Sequence, residues 1–235
     1  MKPRSYNYKL DHSIRAKSED LIWHMHEYGV DLKSNHIYLF GTDYYQSGVG
    51  TDNLDEPGVE FTMANRFVKN MNLCMRVNPK KPIVIHMKTS GGFWEEGMAI
   101  YDIIKACPLH VTILNYTHAR SMSSIIFQAA DKRVMMENSY FMFHRGSIEL
   151  SGTESQVKSA FKFGNIASQT MLDIYSRRMQ EKGEMAGKSL QSIKRWLNDQ
   201  MDRNEDVYLS APKAVAKGLA DEVFNYDWSS LTKYE

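Results

Sequence analysis

The chain has 235 residues, long enough to bury one sizeable core, and a single domain is the default at that length. With 43% hydrophobic and 24% charged residues it is an ordinary globular mix, and its net charge of +1 creates no global field toward nucleic acid or an anionic membrane. Two cysteines, Cys74 and Cys107, exclude a disulfide framework and have no zinc-type spacing, so no metal site is expected.

The start, Met1-Lys-Pro-Arg-Ser-Tyr6, lacks the apolar core of a signal peptide. No run reaches the ~18 apolar residues of a membrane helix. The expectation is a soluble protein of a reducing compartment, with neither nucleic acid nor membrane as partner. Residues 1–20 are polar and charged and read as a mobile arm. Residues 19–29 read as a short helix ending at Gly29, and His36–Gly41 as a first strand. Residues 42–59 carry Gly, Asp, Asn and Pro and read as a loop. Phe61–Val77 has apolar residues at helical spacing. Pro82–Met87 reads as a buried strand that stops at Thr89-Ser90-Gly91-Gly92.

Gly97–Ala106 reads as a helix, Leu109–Asn115 as a strand and Met122–Ala130 as a helix. Short strands are expected near Arg133–Met136 and Tyr140–Phe143. Thr153–Gln180 is one long helix with a mixed face, roughly 42 Å at 1.5 Å per residue. It is too long to pack fully on a core of this size, so it is expected to project and meet another subunit. Residues 188–202 form a further helix. Ser210–Gly218 reads as a short one, with Ser210 at its cap and Pro212 in its first turn, and Asp221–Phe224 as a last strand. Strands alternating with helices predict an α/β layered fold.

Chemistry concentrates at strand ends. Gly91-Gly92 lies between a strand and a helix, where glycine permits a sharp turn, close approach to a ligand and free N–H groups. Ser121 stands where another strand gives way to a helix. Its hydroxyl can cap that helix, or be held out as a nucleophile with the next N–H aimed at an oxyanion. A nucleophilic serine needs a base. Among eight histidines, His144 ends an apolar run and opens a polar one, which puts an imidazole at a strand end. Asp206 is one of many acids, set just before an apolar step and the capped helix.

Taken together, Gly91-Gly92, Gly97-Met-Ala-Ile-Tyr-Asp102, Ala119-Arg-Ser-Met122, Met142-Phe-His144, Tyr208-Leu-Ser-Ala-Pro-Lys-Ala214 and Gly218-Leu-Ala-Asp221 resemble the ClpP family, the serine peptidase subunits of ATP-dependent Clp proteases. The resemblance covers about residues 36–226. It implies the layered ββα fold shared with crotonases, with 153–180 as a protruding handle helix. It sets apart 1–35 as an arm in the place of the family's axial pore loops, and 227–235 as a C-terminal tail. By the same resemblance Ser121 is the nucleophile, His144 the base and Asp206 the orienting acid, while Gly92 and Met122 supply the oxyanion hole. Gly91, Gly146, Ser147 and Ile148 would bind substrate, the last three in a segment that pairs with its backbone.

The implied function is a serine endopeptidase in two stacked heptameric rings, or in mixed rings with a paralogue. An AAA+ unfoldase would feed it unfolded chains and use the ATP, so this subunit needs no cofactor. The implied location is the cytoplasm, or the stroma or matrix of an organelle. Departures from the family pattern are Ser90 for Pro, Thr117 for Gly, Arg120 for a small residue, Arg145-Gly146 for Gln-Pro, and a longer stretch before Asp206. An inward Arg120 side chain would disfavour a protonated His144. Two other readings fit the pattern: a non-catalytic ring subunit, and a crotonase-type acyl-CoA enzyme, in which the triad would have no use.

Overall fold

Alternation along the strands decides which residues the sheet gives to each of its two faces. In the computed structural model, which describes residues 20–40, 58–147 and 150–233, the strands are β1 (Val30–Asp31), β2 (His36–Phe40), β3 (Ile83–Thr89), β4 (Val111–Arg120), β5 (Lys132–Met135), β6 (Tyr140–Phe143), β7 (Val207–Ser210) and β8 (Glu222–Val223). Ile37, Leu39, Ile83, Ile85, Met87, Val111 and Ile113 point to one face. There they meet Met63, Phe67, Met71 and Cys74 of helix α2 (Phe61–Val77) and Ile100 and Ile104 of helix α3 (Trp94–Lys105). The intervening Val84, Leu114 and Val134 point to the other face and pack with Phe224 and Leu231.

A short π-helical turn, α1 (His24–Tyr28), precedes the sheet and ends at Gly29, as the sequence predicts. The remaining helices are α4 (Met122–Phe127), α5 (Glu154–Glu181), α6 (Leu190–Asn204) and α7 (Ala211–Ala216). The arm expected over 1–20 and the loop over 42–59 lie almost wholly outside the described residues, as does Ile148.

The main sheet runs β1-β2-β3-β4-β5-β8, antiparallel at β1–β2 and parallel thereafter. It forks at β4. Thr112–Asn115 pair with β5, whereas His118–Arg120 pair in parallel with β6, which pairs antiparallel with β7. This explains why β4 extends beyond the expected Leu109–Asn115: its second half has a second partner. Helix α3 starts earlier than Gly97, at Trp94. Strand β7 is not anticipated by the sequence reading. Ser210 does cap α7, but its side chain makes no capping hydrogen bond, and Pro212 alone marks that start. Trp228–Thr232 forms a 3₁₀ turn that buries Leu231 on the outer face of the sheet.

Helix α5 opens with a capping box between Thr153 and Gln156. No residue from 154 to 170 is buried, and Phe161, Phe163 and Ile166 are exposed. Burial begins at Met171 and continues through Leu172, Ile174, Tyr175 and Met179. The first half of the helix therefore protrudes from the core.

Two buried titratable groups link stability to acid pH. Arg133, 1% exposed, forks onto Asp221 through Nε to Oδ2 and Nη2 to Oδ1, both at 2.9 Å. Burial pushes the Asp221 carboxyl up, but the hydrogen bonds and charge of Arg133, with help from Lys182, outweigh it and bring it down to about 2. On the outer face, burial and then the neighbouring His36 push His86 down to about 4. Its ring lies between the Tyr116 hydroxyl, 2.9 Å from Nδ1, and His36 Nδ1, 3.0 Å from Nε2.

Both groups bind fewer protons folded than unfolded, where they titrate near about 3.9 and 6.5. Stability is therefore full above the unfolded value and is lost as pH falls toward the folded one. Unfolding free energy should drop by about 2–3 kcal/mol between about pH 6.5 and 4 for His86, and by a similar amount between about 3.9 and 2 for Asp221. Denaturant titrations across pH 7 to 2 should find the upper drop flattened in His86→Phe and the lower one flattened in Asp221→Asn. The second variant should also lose about 3–5 kcal/mol at pH 7, because it leaves Arg133 buried without its counter-charge. A His86→Phe curve parallel to wild type would refute the upper assignment.

Candidate active site

The fork in the sheet brings three strand ends together. In the β4–β6 register Arg120 faces Met142, so Ser121 and His144 both follow C-terminal strand ends. In the β6–β7 register Phe143 faces Val207, so Asp206 falls opposite His144. The side chains complete the approach. His144 Nε2 lies 2.9 Å from Ser121 Oγ, and His144 Nδ1 lies 3.0 Å from Asp206 Oδ1. The pair is only partly shielded, with side-chain exposures of 24% for His144 and 42% for Asp206.

The two readings of Ser121 separate on backbone geometry. It occupies the N-cap position of α4 but makes no side-chain capping bond. Its φ of 52° and ψ of −130° are sparsely populated for a residue with a Cβ, and such strain costs on the order of 1–3 kcal/mol. Neighbouring serines do the structural work. The Ser124 hydroxyl donates to the Ser121 carbonyl at 2.6 Å and meets the buried Tyr175 hydroxyl at 2.6 Å. The Ser123 hydroxyl accepts the Arg120 N–H at 3.0 Å and lies 2.8 Å from the Thr89 carbonyl.

Close approach explains the glycine pair. A Cβ on Gly91 would stand 2.7 Å from Ser121 Cβ and 2.9 Å from Met122 N, and one on Gly92 would stand 2.2 Å from the Val59 carbonyl oxygen. Val59 holds the turn by donating its N–H to the Gly91 carbonyl and accepting the Phe93 N–H at 2.9 Å. That bridge uses the groups on either side of Gly92 and leaves its own N–H facing away from Val59. Met122 N–H, at the first position of α4, has no acceptor within the helix. Gly92 and Met122 both line a cavity of about 460 Å³ that also touches Ser121 and His144.

Gly146 and Ser147 line this cavity. Gly91 does not: it is buried behind Ser121 with its carbonyl bonded to Val59, so it supports the turn. Ile148 lies outside the described residues. The sequence reading also misses Val59, the Trp94–Glu95 wall and the α5 residues Ala160, Phe163, Gly164 and Met171. Small residues at 160, 164 and 167 on one side of a helix are the one signal that pointed to a groove there.

Arg120 is not on the cavity wall. Its Nε donates to the Ser90 carbonyl at 3.3 Å, so two departures from the family pattern meet each other beside the site. Between α5 and α6, Glu184 N–H donates to the Ala216 carbonyl at 2.8 Å and Met185 is buried, which ties that turn to α7.

A family model described as Clp protease matches residues 56–227, a span that contains every residue of this constellation. The forked sheet, the glycine turn against Ser121 and the protruding α5 give that match a structural counterpart along its length, and the chain belongs to the Clp protease family.

Proposed function

We propose that the chain is the serine endopeptidase subunit of a self-compartmentalised, ATP-dependent protease. Family membership supports a peptidase in general, and Clp proteases as a family form ring oligomers that work with Clp-type ATPases. The observation that carries the finer reading is the unbroken hydrogen-bonded line from Ser121 Oγ through both nitrogens of His144 to Asp206, at 2.9 and 3.0 Å.

In this reading His144 takes the hydroxyl proton as Ser121 attacks the scissile carbonyl. Asp206 holds the imidazole in the tautomer that presents a bare Nε2 and stabilises the imidazolium that forms. The oxyanion accepts hydrogen bonds from the N–H groups of Gly92 and Met122. His144 then protonates the leaving amine; it next takes a proton from a water that attacks the acyl-enzyme, and returns it to Ser121 Oγ as the ester bond breaks and the new carboxyl product leaves. Gly146 and Ser147 lie along the cavity, where an extended substrate backbone would pair. The exposed Phe161 and Ile166 of α5 support its burial against a second ring, in stacked heptamers or in mixed rings with a paralogue. An AAA+ unfoldase would supply unfolded chains and consume the ATP, with no cofactor in this subunit. The same reading assigns the protein to the cytoplasm or to an organelle's stroma or matrix.

A serine-directed fluorophosphonate probe should label Ser121, located by mass spectrometry, and the label should vanish in Ser121→Ala. Absence of label in assembled rings would overturn the endopeptidase reading in favour of a non-catalytic subunit. On a short fluorogenic peptide, Asp206→Asn should lower kcat by about 10⁴-fold, since it favours the wrong imidazole tautomer.

Gly91→Ala forces a Cβ into the serine turn at a φ of +98°. It should lower both the labelling rate and the thermal midpoint, with a stability loss of about 2 kcal/mol or more. Unchanged labelling in that variant would show that the turn tolerates the extra atom.

A further inference from the structure

We propose that Arg145 is a positioning residue that holds the His144–Asp206 pair in register; the inference rests on the triad reading above. Arg145 directly follows His144. Its Nη2 pairs with Asp202 Oδ1 at 2.7 Å and donates to Asn198 Oδ1 at 3.1 Å. Asn198 and Asp202 are four residues apart, so they share one face of α6. The arginine thus ties the end of β6 to the helix that delivers the acid.

Three observations make that tie matter for Asp206. First, among the described residues its carboxylate makes one side-chain hydrogen bond, to His144. No backbone donor among the described residues fixes it, so its place depends on the chain on either side. Second, β7 anchors the following residue through the Phe143–Val207 pair, but the preceding residue is a strained joint. Glu205 has a φ of +55° and a ψ of −69°, which persists only where the surroundings enforce it. Third, the space between 144–147 and the end of α6 is not packed. A cavity of about 410 Å³ opens there, lined by residues 144–147 with Met201, Asp202 and Glu205. The Arg145–Asp202 pair spans that gap. Both side chains are substantially exposed, 43% and 61%, so the pair contributes little to global stability. Its effect falls on geometry, where small displacements of a catalytic group are costly.

The test uses the full chain, with the fluorophosphonate labelling rate at Ser121, kcat and KM on a short fluorogenic peptide, and the thermal midpoint. Arg145→Ala and Asp202→Asn should each lower kcat and the labelling rate about tenfold, with KM changed less than twofold and the thermal midpoint unmoved. Arg145→Lys should recover part of the rate, because an ammonium reaches Asp202 without the planar fork that also engages Asn198. The exchange Arg145→Asp with Asp202→Arg should restore kcat to within about threefold of wild type.

An unchanged labelling rate in Arg145→Ala, with Ser121 still labelled in wild type, would overturn the positioning role and leave the triad reading intact. A lowered thermal midpoint that the charge exchange does not repair would assign the pair to structure and also overturn it. No label on wild-type Ser121 would remove both.

Discussion

The site depends on the forking of one strand. β4 is long enough to pair with β5 along its first half and β6 along its last three residues. Against β3 its register shifts between Met87 and Thr89, which face Asn115 and Ala119, so β4 carries two additional residues there. Such irregularities bend a strand and re-aim its end. The fork creates room for β6, and β6 brings β7. Ser121, His144 and Asp206 then each sit one residue from a paired strand position. The ladders bring the three neighbourhoods together, and the local contacts of each residue set the final distances.

Strain is concentrated where the catalytic candidates leave those ladders. Ser121 and Glu205 are two of four non-glycine residues with positive φ among those described, and they flank the site on opposite sides. Different interactions hold each. At Ser121 the turn is enclosed by Gly91 behind it, by Ser123 bonded back to Arg120 and by Ser124 bonded to the Ser121 carbonyl. At Glu205 the enclosure is thinner: a backbone bond to Met201 at 2.8 Å and an open cavity beside it. The serine side is preorganised by packing, whereas the acid side relies on a few polar contacts.

Local pattern made much of this legible in the sequence. Phe61–Val77 matches its helix end to end, because its apolar positions repeat at the helical period and Glu60 caps it. His144 was recognisable as an imidazole at a strand end because Tyr140–Phe143 is a continuous apolar run followed by Arg-Gly. What stayed hidden depends on distant partners. Val207–Ser210 has four residues and an exposed Tyr208, and it is a strand only because β6 pairs with it. Val59 carries no local sign that it will clamp Gly91-Gly92. Local pattern left both capping and a nucleophile open for Ser121, with capping the commoner use of such a serine, until its φ and the roles of Ser123 and Ser124 were visible. The direction of Arg120 likewise depends on a carbonyl thirty residues away.

In the proposed rings, helix α5 would couple the site to assembly through its unsupported half. Ala160, Phe163 and Gly164 line the cavity at Ser121, yet no residue from 154 to 170 is buried by the rest of the chain. One wall of the cavity therefore stands on a helix that the chain's own core does not hold from behind. In proteins most helical stability comes from packing an apolar face. In the proposed rings, the exposed Phe161 and Ile166 would gain that packing from another subunit, and the cavity wall would become rigid at the same step. Assembly would then do more than enclose the serine. It would complete the surface against which a substrate side chain would rest.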